Sequence, residues 1–213
     1  MTDFAAARIN MVENQVRCNA VTDHAVIAAL SAVARETFTP PANQAVAYMD
    51  QDLPVGHGRY LMQARSFAKL CQAAAISSAD KVLDVGCATG YSSAVLARVA
   101  GEVVALEENP ALAEAATASL KGIATVVTGP LTEGVPKQGP YDVIFINGLV
   151  PAKPEKLCQQ LAEGGRLVAI VGDGPVGQAK VYVRAGGTVT SRVVFDTSAS
   201  PLPGFEIEKS FVF

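Results

Sequence analysis

The 213-residue sequence predicts an α/β fold, a mostly parallel sheet covered by helices. Three observations lead there. Strand-like and helix-like runs alternate from residue 81 onward, as in crossover units that cover both faces of a parallel sheet. The run Val82-Leu83-Asp84-Val85 passes into Gly86-Cys87-Ala88-Thr89-Gly90-Tyr91, a Gly-x-x-x-Gly turn that lets a ligand approach the backbone. Glu107 stands twenty-one positions after Gly86, at the end of a second apolar run, where a carboxylate can accept from two adjacent hydroxyls.

Each element has its own signal. Residues 4–17 have helical spacing, with Ile9, Val12 and Val16 on one side and Arg8, Glu13 and Arg17 elsewhere. Thr22 or Asp23 caps a second helix through Val26, Ile27, Leu30 and Val33, which stops at Phe38-Thr39-Pro40-Pro41. Residues 42–65 have no clear period and read as a structured loop carrying Asp50, Asp52, Pro54, Gly56, His57 and Gly58. A helix follows over 66–75. Strands are expected at 81–85, 102–107, 125–128, 142–146 and 166–171, and helices at 91–99, 110–120 and 154–161. The end differs: 179–184 and 188–196 are strand-like and joined by Ala185-Gly186-Gly187, a hairpin signal, and 205–213 can add a last strand. Repeats, low-complexity stretches and a linker are absent, so residues 1–213 read as one domain. Residues 1–75 form its helical layer and loop, and 76–213 its sheet.

Composition narrows the function. Half the residues are hydrophobic and 17% are charged, which suits a packed core rather than disorder. Net charge is −3 with Lys and Arg scattered, so no basic face for nucleic acid is expected. Cys18, Cys71, Cys87 and Cys158 lie far apart, and the two histidines, His24 and His57, cluster with none of them. Neither a metal site nor a disulfide framework is expected. The N-terminus lacks the basic-then-apolar pattern of a signal peptide, and no apolar run reaches membrane-spanning length. A soluble, cytoplasmic setting with reduced thiols is the expectation.

The turn discriminates among cofactors. A dinucleotide fingerprint needs Gly-x-Gly-x-x-Gly, but Ala88 holds the second glycine position and the position three past Gly90 is Ser93. A phosphate-cradling loop needs Gly-Lys, a pair the chain lacks. The pattern instead resembles the first motif of S-adenosylmethionine-dependent methyltransferases. In that family the turn packs under the methionine part and the acid after the second strand binds the ribose. Asp84 and Glu107 suit a cationic sulfonium.

A narrower resemblance covers nearly the whole chain. Met11-Val12-Glu13-Asn14-Gln15-Val16-Arg17 and Arg35-Glu36-Thr37-Phe38-Thr39-Pro40 resemble the opening of protein-L-isoaspartate O-methyltransferases. Ala47-Tyr48, Leu53-Pro54-Val55-Gly56-His57-Gly58, Tyr141-Asp142-Val143-Ile144 and Glu163-Gly164-Gly165-Arg166-Leu167-Val168 follow in the same order. The resemblance implies a Rossmann-like methyltransferase sheet with an antiparallel C-terminal strand. It also implies methyl transfer from S-adenosylmethionine to the free carboxylate of isoaspartyl residues in proteins or peptides, a repair reaction. By position it places the catalytic site on His57, Tyr60, Met62 and Gln63. It places cofactor binding on Asp84, Gly86, Cys87, Ala88, Gly90, Tyr91, Glu107, Glu108, Gly129, Pro130, Leu131 and Asn147.

The departures cluster. Where the family reads Gln-Thr-Ile-Ser-Gln-Pro, this chain reads Arg59-Tyr60-Leu61-Met62-Gln63-Ala64, so the family's active-site serine falls on Met62. A thioether accepts weakly and cannot donate. The family's Gly-Asp-Gly falls on Gly129-Pro130-Leu131, without the acid that holds adenine, and its threonine falls on Asn147. Tyr60 can restore the lost hydroxyl or pack as a lid. His57 is the one ready base, although a ring that hydrogen-bonds the loop backbone is the more ordinary role. Arg59 and Arg65 can grip an anionic acceptor, although solvation is the usual fate of such arginines. Cys87 reads as a small side chain under the cofactor, with no activating cation near it. Three functions remain open: the isoaspartyl methyltransferase, an enzyme on the same scaffold with another, small-molecule acceptor, and a catalytically silent cofactor-binding module.

Overall fold

The computed structural model describes residues 3–206. Helix α1 (Phe4–Met11) starts where the Asp3 side chain accepts from Ala6 N at 3.0 Å. It does not continue to residue 17 as an α-helix. Val12–Val16 forms a π-helical turn and Arg17–Asn19 a 3-10 turn. The wider π turn draws Met11, Val12 and Val16, all buried, into a narrower arc than an α-helix would. Asp23 caps α2 (His24–Ala32), accepting from Ala25 N and Val26 N at 2.9 and 3.1 Å. The chain leaves α2 before the proline pair, through the 3-10 turns Arg35–Phe38 and Pro41–Val46.

The expected loop 42–65 contains a hairpin, β1 (Leu53–Gly56) and β2 (Arg59–Leu61). Gly56 pairs with Arg59, leaving His57 and Gly58 as the connection at φ 52 and 70. Two successive positive φ values make the tight turn whose twist matches a hairpin, so the Gly-His-Gly motif is a turn signal. Leu53, Val55, Arg59 and Leu61 point inward and Tyr60 outward. Helix α3 (Ala64–Ala74) begins two residues before the expected start and buries Phe67, Leu70 and Cys71.

The rest is β3 (Lys81–Val85), α4 (Tyr91–Leu96), β4 (Glu102–Glu107), α5 (Pro110–Ser119), β5 (Thr125–Thr128), β6 (Tyr141–Val150), α6 (Glu155–Cys158), β7 (Leu161–Val171), β8 (Gly177–Ala185) and β9 (Thr188–Thr197). The seven strands run β5-β4-β3-β6-β7-β8-β9. The first five are parallel, β8 pairs antiparallel with β7, and β9 pairs antiparallel with β8, so the sheet is mostly parallel with the expected antiparallel C-terminal end. The β8–β9 turn at Gly186 and Gly187 matches the expectation, with φ 57 and 76. Phe205 and Glu206 are not strand, and the remainder of the expected 205–213 strand lies outside the described residues.

Two elements differ from their expected lengths for one reason. The predicted helix 154–161 is a four-residue turn, because Leu161 belongs to β7 and pairs with Tyr141. Beyond it, β7 bulges through Glu163-Gly164-Gly165. A side chain at Gly165 would meet Ala162 O and Tyr141 O, each at 2.9 Å. Glycine there keeps the strand in the ladder, as bulges often require.

The core has two faces with a strand's period of two. Val82, Val103, Ala105, Val143, Phe145, Val168 and Ile170 face α1 through α5. Leu83, Val85, Val104, Leu106, Ile144, Ile146 and Leu167 face α6, the 3-10 turn at Leu131–Glu133, and Leu202 of the C-terminal segment 198–206. The connections leaving β3 and β4 therefore cross one face, and those after β5 and β6 cross the other. The strand order reverses between β3 and β6, and ligands of open α/β sheets bind at such a point, beyond the carboxyl ends of the strands. Among the described residues no helix is long and apolar enough to cross a membrane.

Candidate functional site

The turn after β3 is built by its own backbone. Gly86 N and Cys87 N both donate to Leu106 O of β4, at 2.8 and 3.1 Å, and Gly90 N donates to Cys87 O. Gly86, Ala88 and Gly90 have φ of 79, 51 and 99. Glycine adopts that region freely, and Ala88 is held there by tertiary contacts. One contact is from Ala88 N to Glu107 Oε2 at 2.8 Å.

Glu107 is fully buried. Besides Ala88 N, its Oε2 accepts from Arg59 Nη2 at 3.3 Å, and its Oε1 accepts from Glu108 N and Asn109 N at 3.1 and 3.2 Å. Three backbone donors thus hold the acid, with the Arg59 side chain as a fourth. Asp84, also fully buried, accepts from the hydroxyls of Ser92 and Ser93 and from the Asn147 amide. Burial pushes its pKa up to about 6, against those three hydrogen bonds, and nearby Glu107 adds to the rise. Burial likewise pushes the Cys87 thiol well above its usual value, with Asp84 and Glu107 adding to the effect; the Arg59 cation, not expected near it, opposes the rise without reversing it.

Arg59 departs furthest from expectation. It is neither solvated nor aimed at an acceptor, but 3% exposed. Its Nη2 donates to Gly86 O at 2.8 Å as well as to Glu107. Leu202 joins it from the C-terminal segment. A side chain on Gly86 would collide with the Arg59 guanidinium and with Leu202 Cδ1, and one on Gly148 would meet Leu202 Cβ at 2.9 Å. Nothing near Arg59 in sequence marks this inward placement beyond the strand alternation of β2. Leu202 carries no local signal at all.

The other expected residues are distributed around this point. Met62 is buried, and its carbonyl accepts from Arg35 Nη2 at 2.9 Å. Arg35, buried as well, also donates to Ala47 O at 2.8 Å and Leu61 O at 3.4 Å, tying the hairpin to the helical layer. Gln63 is a knot: its N donates to Asp52 Oδ1 at 2.8 Å and its Nε2 to Ser198 O at 2.9 Å. Asp52 Oδ2 in turn accepts from Ser200 N at 2.6 Å. The segment is tied to β6 by Leu149 N to Ser200 O and Leu202 N to Leu149 O. Arg65 stays near the surface, with Asp50 at 3.4 Å. His57 is exposed at the hairpin tip, whose shape comes from the turn, and Tyr60 is exposed beside it. Tyr91 packs away from the turn's upper side, with its ring edge-on to Phe38 and the Arg35 guanidinium 4.7 Å above it. Gly129 N donates to Glu107 O at 3.1 Å, Pro130 is exposed, Leu131 is a core residue, and Glu108 approaches Gly204. A cleft of about 320 Å³ opens beside the turn, lined by Phe38, Pro40, Val55, His57, Thr89 and Leu112.

The acceptors suit a ribosyl sulfonium: the fixed Glu107 carboxylate and the Gly86 carbonyl at the glycine turn. The space does not suit it in this conformation, since Arg59 and Leu202 fill it.

Comparison with known proteins supplies the lineage. The family model described as "Protein-L-isoaspartate(D-aspartate) O-methyltransferase (PCMT)" matches residues 7–203. A Rhodopseudomonas palustris protein-L-isoaspartate O-methyltransferase 1 is 41% identical over 175 residues, 80% of this chain and 71% of its own length. A Koribacter versatilis protein-L-isoaspartate O-methyltransferase is 35% identical, covering 96% of this chain and 94% of its own. A Plasmodium falciparum structure described as a beta-aspartate methyltransferase, solved with S-adenosyl-L-homocysteine, superposes with a TM-score of 0.80. It has 18% identity and covers 96% of this chain and all of its own. That likeness speaks for the fold alone. The chain belongs to the protein-L-isoaspartate O-methyltransferase family of S-adenosylmethionine-dependent enzymes.

Proposed function

We propose that this chain transfers a methyl group from S-adenosylmethionine to the free carboxylate of isoaspartyl residues in proteins or peptides. Family membership over residues 7–203 carries the reading, and the Gly86–Gly90 turn with Glu107 supports it at the site. Cytoplasmic residence belongs to the same reading, in line with four free cysteines among the described residues.

The chemistry asks little of the residues that have changed. S-adenosylmethionine, when bound, supplies a methyl group on a cationic sulfur. A carboxylate acceptor, with a pKa near ~4, is ionised at neutral pH and needs no base. The protein's task is alignment, which can contribute roughly 7–11 kcal/mol. Met62 in place of a serine removes a donor, not a proton acceptor. Glu107, fixed by Ala88 N, Glu108 N and Asn109 N, and Asp84, fixed by Ser92, Ser93 and Asn147, hold the turn rigid. The cleft beside Thr89 and His57 has room for a peptide acceptor's side chain.

A second reading keeps the donor and changes the acceptor. Met62 and Leu131, both buried and apolar, favour it. The test is radiolabelled methyl transfer to an isoaspartyl peptide and its aspartyl twin. Label on the isoaspartyl peptide alone is expected. Equal background labelling of both, with cofactor bound, overturns the isoaspartyl reading in favour of the other acceptor.

A further inference from the structure

We infer that Arg59 and Leu202 form an internal stopper over the Gly86 turn, competing with the cofactor for Glu107 and the Gly86 carbonyl and so setting its affinity. The inference rests on the methyltransferase reading above. One guanidinium nitrogen engages both groups at once, at 2.8 and 3.3 Å, while Leu202 covers the remaining face of Gly86 and packs on Gly148. Gly86 follows β3 and Gly148 lies in β6, so the stopper sits in the crevice where the strand order reverses.

Three features make it removable. Arg59 Nε is buried without a partner among the described residues, so the closed form leaves part of a buried cation unsatisfied. Glu107 keeps three backbone donors when Arg59 leaves, so the acid stays in place. Arg59 stands in a separate two-stranded sheet, so its side chain can withdraw without breaking a ladder of the main sheet. Asp52 and Gln63 join the hairpin's end to the 198–206 segment, which couples the two halves of the stopper. A cationic cofactor and the Arg59 cation exclude each other at Glu107 by charge as well as by volume. A protein that must first open binds with an affinity reduced by its open fraction.

The experiment is calorimetric titration of the full chain with S-adenosyl-L-homocysteine and with S-adenosylmethionine. It compares wild type, Arg59→Gln, Leu202→Ala and Asp52→Asn. Arg59→Gln is expected to bind both at least tenfold tighter, with the larger gain for the sulfonium. Leu202→Ala and Asp52→Asn should tighten binding by several fold. Asp52→Asn lies outside the crevice and keeps the test alive if the buried Arg59→Gln chain does not fold. Equal or weaker binding by the variants overturns the stopper, as does failure of every variant to bind. Tighter binding by Arg59→Gln without labelling of the isoaspartyl peptide upholds the stopper and instead overturns the choice of acceptor.

Discussion

The glycine turn with its acid and the hairpin with the C-terminal segment meet at the same crevice, but they are held by different means. The turn is fastened by main-chain groups: Leu106 O takes two donors and Glu107 takes three. The opposing wall has two main-chain bonds, between Leu149 and the C-terminal segment, and is otherwise fastened by side chains, through Arg59, Gln63 and Asp52, to partners 27 to 148 residues away. Main-chain fastening tolerates substitution of neighbours, whereas side-chain fastening can be lost or reset by one replacement. The resemblance to the family holds at the first region's turn and acid, and the second region differs from it at Arg59 and Met62.

The largest break in this contrast is Glu107→Ala. It strips three main-chain donors and leaves the Arg59 cation buried and unpaired, so a loss of about 3–5 kcal/mol in urea unfolding is expected. Adding Arg59→Gln should restore part of that loss. A strictly additive double variant would mean that the two walls do not communicate.

Asp84 gives the next effect, through pH. Its folded value of about 6 lies above the ~3.9 of an unfolded chain, so the folded state holds the proton to higher pH. Its contribution to stability is full below pH ~4 and is lost as pH rises to about 6. Two units correspond to about 3 kcal/mol at ~1.4 kcal/mol each. Asp84→Asn should flatten that stretch of the stability–pH curve, and an unchanged slope would place the titration elsewhere.

The smallest effect belongs to the hairpin tip. His57→Ala should alter stability by less than ~0.5 kcal/mol, since the ring is exposed. The methylation rate should change by less than about threefold, because an ionised acceptor needs no base. A fall of a hundredfold would identify a proton acceptor and point to a hydroxyl substrate.

What could be foreseen follows the same division. The strands 81–85 and 102–107, the proline-led start of α5 and the Gly186-Gly187 hairpin are local patterns, and each lies where its residues predict. The short α6 and the long β7 were hidden, because a strand that bulges through Gly164-Gly165 has no steady period. The hairpin within 42–65 was hidden because its strands, four and three residues long, are too short to show an alternating period. Arg59 misled for a further reason: its burial depends on Glu107 and on Leu202, 143 positions downstream, and no window of sequence contains all three.

The hairpin's independence from the main sheet has an evolutionary consequence. The ribbon from Leu53 to Leu61, anchored at its base by Arg35, shares no ladder with the main sheet, so its tip can lengthen, shorten or change charge without disturbing that sheet. Lineages built on this scaffold can thus retune how readily the donor enters without renegotiating the fold that receives it.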